Sequence, residues 1–421
     1  MFTRSLRWGI VLFLLATLPA MTVAQAQEPA AQVAPAAWNV YESEPNDTIA
    51  TADPIALNDV VGGELEYRQL MEYCGSDYFR FSMDYPGYAV IEVSHYNRIS
   101  IHLEWAEWYD SEFQSAPGAF ETHLLFVYLN AEDYVIELWD DWCGQGDYRP
   151  YELSVYRPLL VSAAPGNLGT GTVSGIQFKS EDVLSYAHLN NGAERWQMLF
   201  DGSDVGVKTL TNLAVRGGDL LFSVSAAQTL PGVGTVKPHD IVRFAPDRMG
   251  QQTQGTFSVE LRGSQVNLTT TSEKLDAIED ADEWAWDLYY LFVSTTGVAT
   301  GDFKFDDEDV VVLERGFWEN DWVWESGSYR WFDIKGLNNG NNPRIVKGLP
   351  AEDVIGLAYQ QYPTTQLYMT IQGTGNILNH AVNQKDIFAI NFSNFGWGGY
   401  LWRGPQHGWN YNLDAFEFER W

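Results

Sequence analysis

Four short strands that each open on aspartate constrain this chain most: Asp182-Val-Leu-Ser-Tyr186, Asp240-Ile-Val-Arg-Phe244, Asp309-Val-Val-Val-Leu313 and Asp386-Ile-Phe-Ala-Ile390. Each leads to an aromatic strand that runs into glycine, at 195–202, 256–263, 329–336 and 399–404, and then to a third strand at 210–215, 275–278, 354–359 and 413–418. A fourth strand precedes the Asp strand at 219–225, 287–294 and 366–371, and 159–164 supplies it for the first unit. All four units are complete only if 413–418 joins the strands of the first. Four four-stranded units closed by the two ends of the stretch predict a small β-propeller over 159–421, because closure removes sheet edges that would otherwise invite pairing. Unequal unit lengths leave an open array or a second sandwich as the alternative.

Upstream, period-two alternation at 77–83, 88–94, 99–105, 123–128, 134–139 and 151–156 predicts a β-sandwich over 38–156. The whole protein is therefore expected to be all-β, a jelly-roll-like sandwich followed by a four-repeat domain. Its 421 residues exceed what one core of roughly 250–300 residues can serve. Residues 1–26 read as a secretory signal, since Arg4 and Arg7 precede an apolar run from Trp8 to Leu18 and an Ala24-Gln25-Ala26 exit. Residues 27–37, rich in Ala and Pro, read as a tether. No later stretch is long enough to span a bilayer, so a secreted, extracellular or cell-surface location is expected.

Hard cations need several oxygen ligands close together, and Glu42-Ser-Glu-Pro-Asn-Asp47 places Glu42, Glu44, Asn46 and Asp47 around one proline. A plain N-terminal turn uses the same residues. That segment, with Asp77-Tyr-Phe-Arg-Phe81, Tyr134-Val-Ile-Glu-Leu138 and Gly146-Asp-Tyr-Arg-Pro-Tyr-Glu-Leu-Ser-Val155, resembles the bacterial pre-peptidase C-terminal domain in order and spacing. The resemblance covers about a quarter of the chain. It implies a jelly-roll-like sandwich, calcium near the Glu/Asn-rich segment, and Asp77 as the acid that opens the following strand. Gly75 stands where the family often carries a second acid. The four-unit half resembles hemopexin-like propellers only in its count of units and its Leu-Asp-Ala starts at 275 and 413.

The formal net charge of −31 argues against nucleic acid, whose phosphates demand Lys and Arg. Cys74 and Cys143 are the only cysteines, and export would favour a disulfide between them. Seven scattered histidines form no zinc-hydrolase motif, and neither a nucleophile elbow nor a phosphate loop occurs. The acidic run Asp306–Asp309 ends on the recurring aspartate, which is better read as a turn that caps its own backbone. Trp318, Trp322 and Trp324, with Trp402 and Trp409, are candidates for a ligand platform or for packing between units. The expectation is an exported, non-catalytic binding or adhesion protein, calcium-assisted, that recognises an extracellular protein or polysaccharide. The alternative is a secreted glycan hydrolase with carboxylates drawn from different units.

Overall fold

In the computed structural model, residues 38–68, 73–96, 98–104, 109–114, 120–139, 148–163, 170–280, 288–297, 299, 310–318, 321–332, 354–360, 366–377, 379–391 and 396–418 are described. The described residues are all-β, with only short 3-10 turns besides. The expected leader, the tether, Asp309 and Cys143 lie outside them, so the Cys74 to Cys143 pairing is not described.

Eleven strands form the N-terminal part: β1 (Val40–Tyr41), β2 (Asp53–Pro54), β3 (Val60–Arg68), β4 (Tyr73–Cys74), β5 (Asp77–Ser82), β6 (Gly87–Tyr96), β7 (Arg98–Glu104), β8 (Tyr109–Gln114), β9 (Phe120–Leu129), β10 (Asp133–Trp139) and β11 (Tyr148–Tyr156). One sheet has the order β1-β3-β11-β6-β9, with β4 also on β3, and the other β2-β5-β10-β7-β8. Their inner faces share one apolar core, Val61, Phe79, Phe81, Ile91, Val93, Ile136 and Leu153 among it. Sequence alternation misses β3, whose run is interrupted by Gly62-Gly63. Both glycines mark close approach. A Cβ on Gly62 would stand 2.1 Å from the Trp38 ring, and one on Gly63 would stand 2.3 Å from the Tyr151 hydroxyl.

The rest of the chain supplies β12 (Leu159–Ala163), β13 (Gly171–Val173), β14 (Ile176–Phe178), β15 (Val183–His188), β16 (Glu194–Phe200), β17 (Thr211–Arg216), β18 (Asp219–Ser223), β19 (Gln228–Leu230), β20 (Gly234–Val236), β21 (Ile241–Arg248), β22 (Gln254–Leu261), β23 (Leu275–Asp280), β24 (Leu288–Thr295), β25 (Val310–Trp318), β26 (Asp321–Phe332), β27 (Val354–Gln360), β28 (Gln366–Ile371), β29 (Thr374–Ile377), β30 (His380–Asn383), β31 (Asp386–Asn391), β32 (Gly396–Arg403) and β33 (Leu413–Phe418). Four four-stranded sheets result: β33-β12-β15-β16, β17-β18-β21-β22, β23-β24-β25-β26 and β27-β28-β31-β32. Their first strands pack in a cycle, β17 on β23, β23 on β27, β27 on β33 and β33 on β17. Apolar cores fill the gaps between successive sheets. This is the arrangement of a small propeller, and the C-terminal β33 completes the sheet that β12 begins. Three hairpins, β13-β14, β19-β20 and β29-β30, sit between the second and third strands of their sheets and have no counterpart in the sequence reading.

The recurring aspartates explain how each sheet is pinned. Asp182 accepts from Lys179 N at 2.7 Å and from Gly202 N at 3.1 Å. Asp240 repeats this with Lys237 N and Gly263 N, both at 3.0 Å, and Asp386 accepts from Asn383 N at 3.2 Å. In the first two sheets the turn that starts the third strand is thus tied to the glycine that ends the fourth. Glycine is required there, since a Cβ on Gly202 or Gly263 would meet the carbonyl of Glu181 or His239 at 2.3 or 2.4 Å.

The sandwich is docked on the ring without a linker. Only Arg157 and Pro158 separate β11 from β12, and one apolar cluster runs from Val60, Tyr88, Val90 and Phe126 into Leu160, Leu199, Phe200 and Met249. Half-buried at this junction, Arg195 reaches Glu92 at 3.0 Å and Glu152 at 2.6 Å. Tyr156 and Gln197 also donate to Glu92, at 3.0 and 3.1 Å.

Candidate metal site at the edge of the sandwich

The segment after β1 crosses the end of the sandwich, where β3, β5 and β11 bring their side chains together. Oxygens of Glu42, Glu44 and Asp77 lie within 4.8 Å of one another. The buried Tyr151 hydroxyl stands between Glu42 and Asp77, 2.7 Å from Asp77 Oδ2. Glu42 also accepts from Glu64 N at 2.6 Å, so the edge strand orients it. Gly63 lies opposite Tyr151 in the ladder, and its missing side chain is the space that the phenol and the Glu42 carboxylate occupy.

Asn46 is fully buried. Its backbone carbonyl accepts from Tyr78 N at 3.0 Å, which ties it to the start of β5. Both polar atoms of its side chain lack a hydrogen-bond partner. A buried carboxamide left that way costs about 1–3 kcal/mol, so its position needs a reason.

Burial, then the negative charge of Glu42, pushes Asp77 up to about 9. Burial first, and then Asp77 and Glu42, hold the Tyr151 phenol well above its ordinary value. A cation joining the cluster would favour ionisation of Asp77.

Of the five residues expected here, Glu42, Glu44 and Asp77 come together, and Asn46 lies in the same segment with its amide unsatisfied. Asp47 is not one of the three grouped carboxylates. Tyr151 and Gly63 were missed as site residues. The signal for them was nonlocal, a Gly-Gly pair inside an alternating run and a tyrosine registered opposite it.

Trp318, Trp322 and Trp324 belong to the paired strands β25 and β26 rather than to an insertion, and their side chains lie outside the described set. Trp402 and Trp409 are buried at 3% and 0% exposure, in keeping with packing between units rather than with a ligand platform. They pack with Trp196, Phe178 and Tyr186 between the first and fourth sheets, with Trp409 stacked on Trp196 at 5.6 Å.

Comparison with known proteins adds little to this geometry. No protein-family model matches the chain, and no curated protein matches it. Among solved structures, a pre-peptidase C-terminal domain of a collagenase from Bacillus anthracis is similar at 17% identity, over 25% of this chain and 93% of that one, with a TM-score of 0.19. No described helix is long and apolar enough to cross a membrane.

Proposed function

We propose that this is an exported, non-catalytic binding or adhesion protein whose sandwich belongs to the pre-peptidase C-terminal type and takes one calcium ion at Glu42, Glu44, Asn46 and Asp77. The observation that carries the reading is the unpartnered, fully buried Asn46 amide in the segment that also brings three carboxylates within 4.8 Å. All the donors are oxygen, the preference of a hard divalent cation. When bound, calcium would neutralise the crowded carboxylates and satisfy the Asn46 oxygen, so the loop between β1 and β2 would be fixed to β5. The ligand class is an extracellular protein or polysaccharide, in keeping with the secretory leader and the acidic surface. A Cys74 to Cys143 disulfide belongs to the same reading.

Titration calorimetry of the protein without its leader tests the metal. The expected result is one calcium per chain with heat lost on Asp77→Asn. Absence of heat at millimolar calcium would overturn the reading.

The glycan-hydrolase alternative would draw paired carboxylates from different sheets, and Glu279 of β23 and Glu417 of β33 are near enough to influence each other. Both are buried, at 5% and 3% exposure, so a glycan cannot reach them. That pair therefore gives the hydrolase reading no support.

A further inference from the structure

The first residues of the sandwich carry an aromatic pair that its core does not use. Trp38 and Tyr41 are 42% and 56% exposed, with ring centroids 5.4 Å apart and planes tilted by 54°. Strand register sets an acid beside them. Tyr41 pairs with Gly62 of β3, so the two residues present the same face, and the Trp38 ring covers Gly62 on that face. Half-exposed Glu64 lies two residues further along β3 and therefore shares it. Glu42 alternates to the opposite face, where it meets Tyr151.

We propose that Trp38, Tyr41 and Glu64 form a notch for a lysine side chain on a basic segment of an extracellular partner protein. The lysine is the ligand class of the binding reading above, on which this assignment rests. Shape and charge both select a cation. Rings tilted by 54° enclose a compact ammonium, whereas a sugar ring stacks on a level platform. Ring faces attract a cation, and a carboxylate on the same face adds to that attraction. Burial first, and then the charges of Glu64 and Glu42, raise the Tyr41 phenol, as they would for a ring in a negative field.

A guanidinium on that side of the sheet, Arg195, is already claimed by Glu92 and by Glu152, the β11 partner of Gly62. The net charge of −31 steers a basic partner towards the protein and an acidic one away. Strand β1 is the outermost described strand of its sheet, so the notch opens at a rim that an extended segment can reach. Packing accounts for Trp38, which covers Gly62, but gives Tyr41 no reason to stand in solvent beside it. A single exposed aromatic needs no explanation, whereas two in contact make a patch.

Fluorescence anisotropy with fluorescein-labelled octalysine tests this on the protein without its leader, at about 150 mM salt, where long-range attraction to the acidic surface is screened. Tyr41→Ala should weaken binding at least about threefold and Trp38→Ala about tenfold, while Tyr41→Phe, which keeps the ring, should stay within about twofold of the wild type. The alanine variants leave the net charge unchanged, so wild-type affinity in both would mean general attraction to an acidic surface and would overturn the notch. Should Trp38→Ala fail to fold, the exposed Tyr41 still gives the readout. No octalysine binding by the wild type, or its displacement by the neutral glycan cellohexaose, would also overturn the notch. Calcium affinity should be unchanged in Tyr41→Ala, so a failed notch with intact calcium binding is distinct from failure of the metal reading.

Discussion

Two regions of the sandwich handle acid in opposite ways. At the junction with the ring, Glu92 and Glu152 are buried against Arg195, which answers both. At the free edge, Glu42, Glu44 and Asp77 are gathered just as closely, and the charges that act most on Asp77 are those of Glu42 and Glu44. An acid pair closed by its own guanidinium is a finished piece of structure. A cluster with a protonated aspartate and an unsatisfied asparagine is unfinished until a cation arrives.

The comparison breaks first if Arg195 is dispensable. Arg195→Met leaves two buried carboxylates unpaired and should cost about 3–5 kcal/mol in urea unfolding. Replacing Glu92, Glu152 and Arg195 together by apolar residues of similar volume should cost far less.

Acid pH should also attack the sandwich. Burial lowers His95 to about 3 and His123 to about 4, and the rings stack 5.0 Å apart, with Arg248 of the ring adding positive charge near His123. Both values lie below the ordinary 6.5, so the native state binds fewer protons than the unfolded chain. This stability is present above about pH 6.5 and is lost as pH falls towards 4, by up to about 1.4 kcal/mol per pH unit for each ring. Unfolding midpoints of wild type and His95→Phe between pH 7 and 4.5 measure it. The variant should show the shallower decline, and equal slopes would remove the histidines from the account.

A smaller effect separates the ring from both regions. Asp240→Ala removes the acceptor for Lys237 N and Gly263 N and should cost about 1–3 kcal/mol by denaturant unfolding, with calcium affinity unchanged. Altered calcium binding in that variant would show that the sandwich site is not local.

Much of the ring was legible because its signals are local. Asp182, Asp240 and Asp386 each begin a strand by capping their own turn, and 413–418 could be assigned to the first sheet by counting strands. The third unit's Asp309 lies outside the described residues. Of the edge site, Glu42, Glu44 and Asp77 were legible, through motif and spacing. Contacts made only by folding were not. Arg195 looks like any strand arginine until β6 and β11 present Glu92 and Glu152 to it. Trp402 and Trp409 could be read either as a platform or as packing because exposure has no local signature, and sheet packing buries them.

The most direct test of the central claim is thermal unfolding of the protein without its leader, with saturating calcium and with a chelator, in wild type and Asp77→Asn. At calcium a hundredfold above its dissociation constant the wild type should gain about 2.7 kcal/mol, seen as a higher midpoint, and Asp77→Asn should gain nothing. A wild-type midpoint indifferent to calcium would contradict the account, leaving the edge carboxylates as no more than a protonated turn.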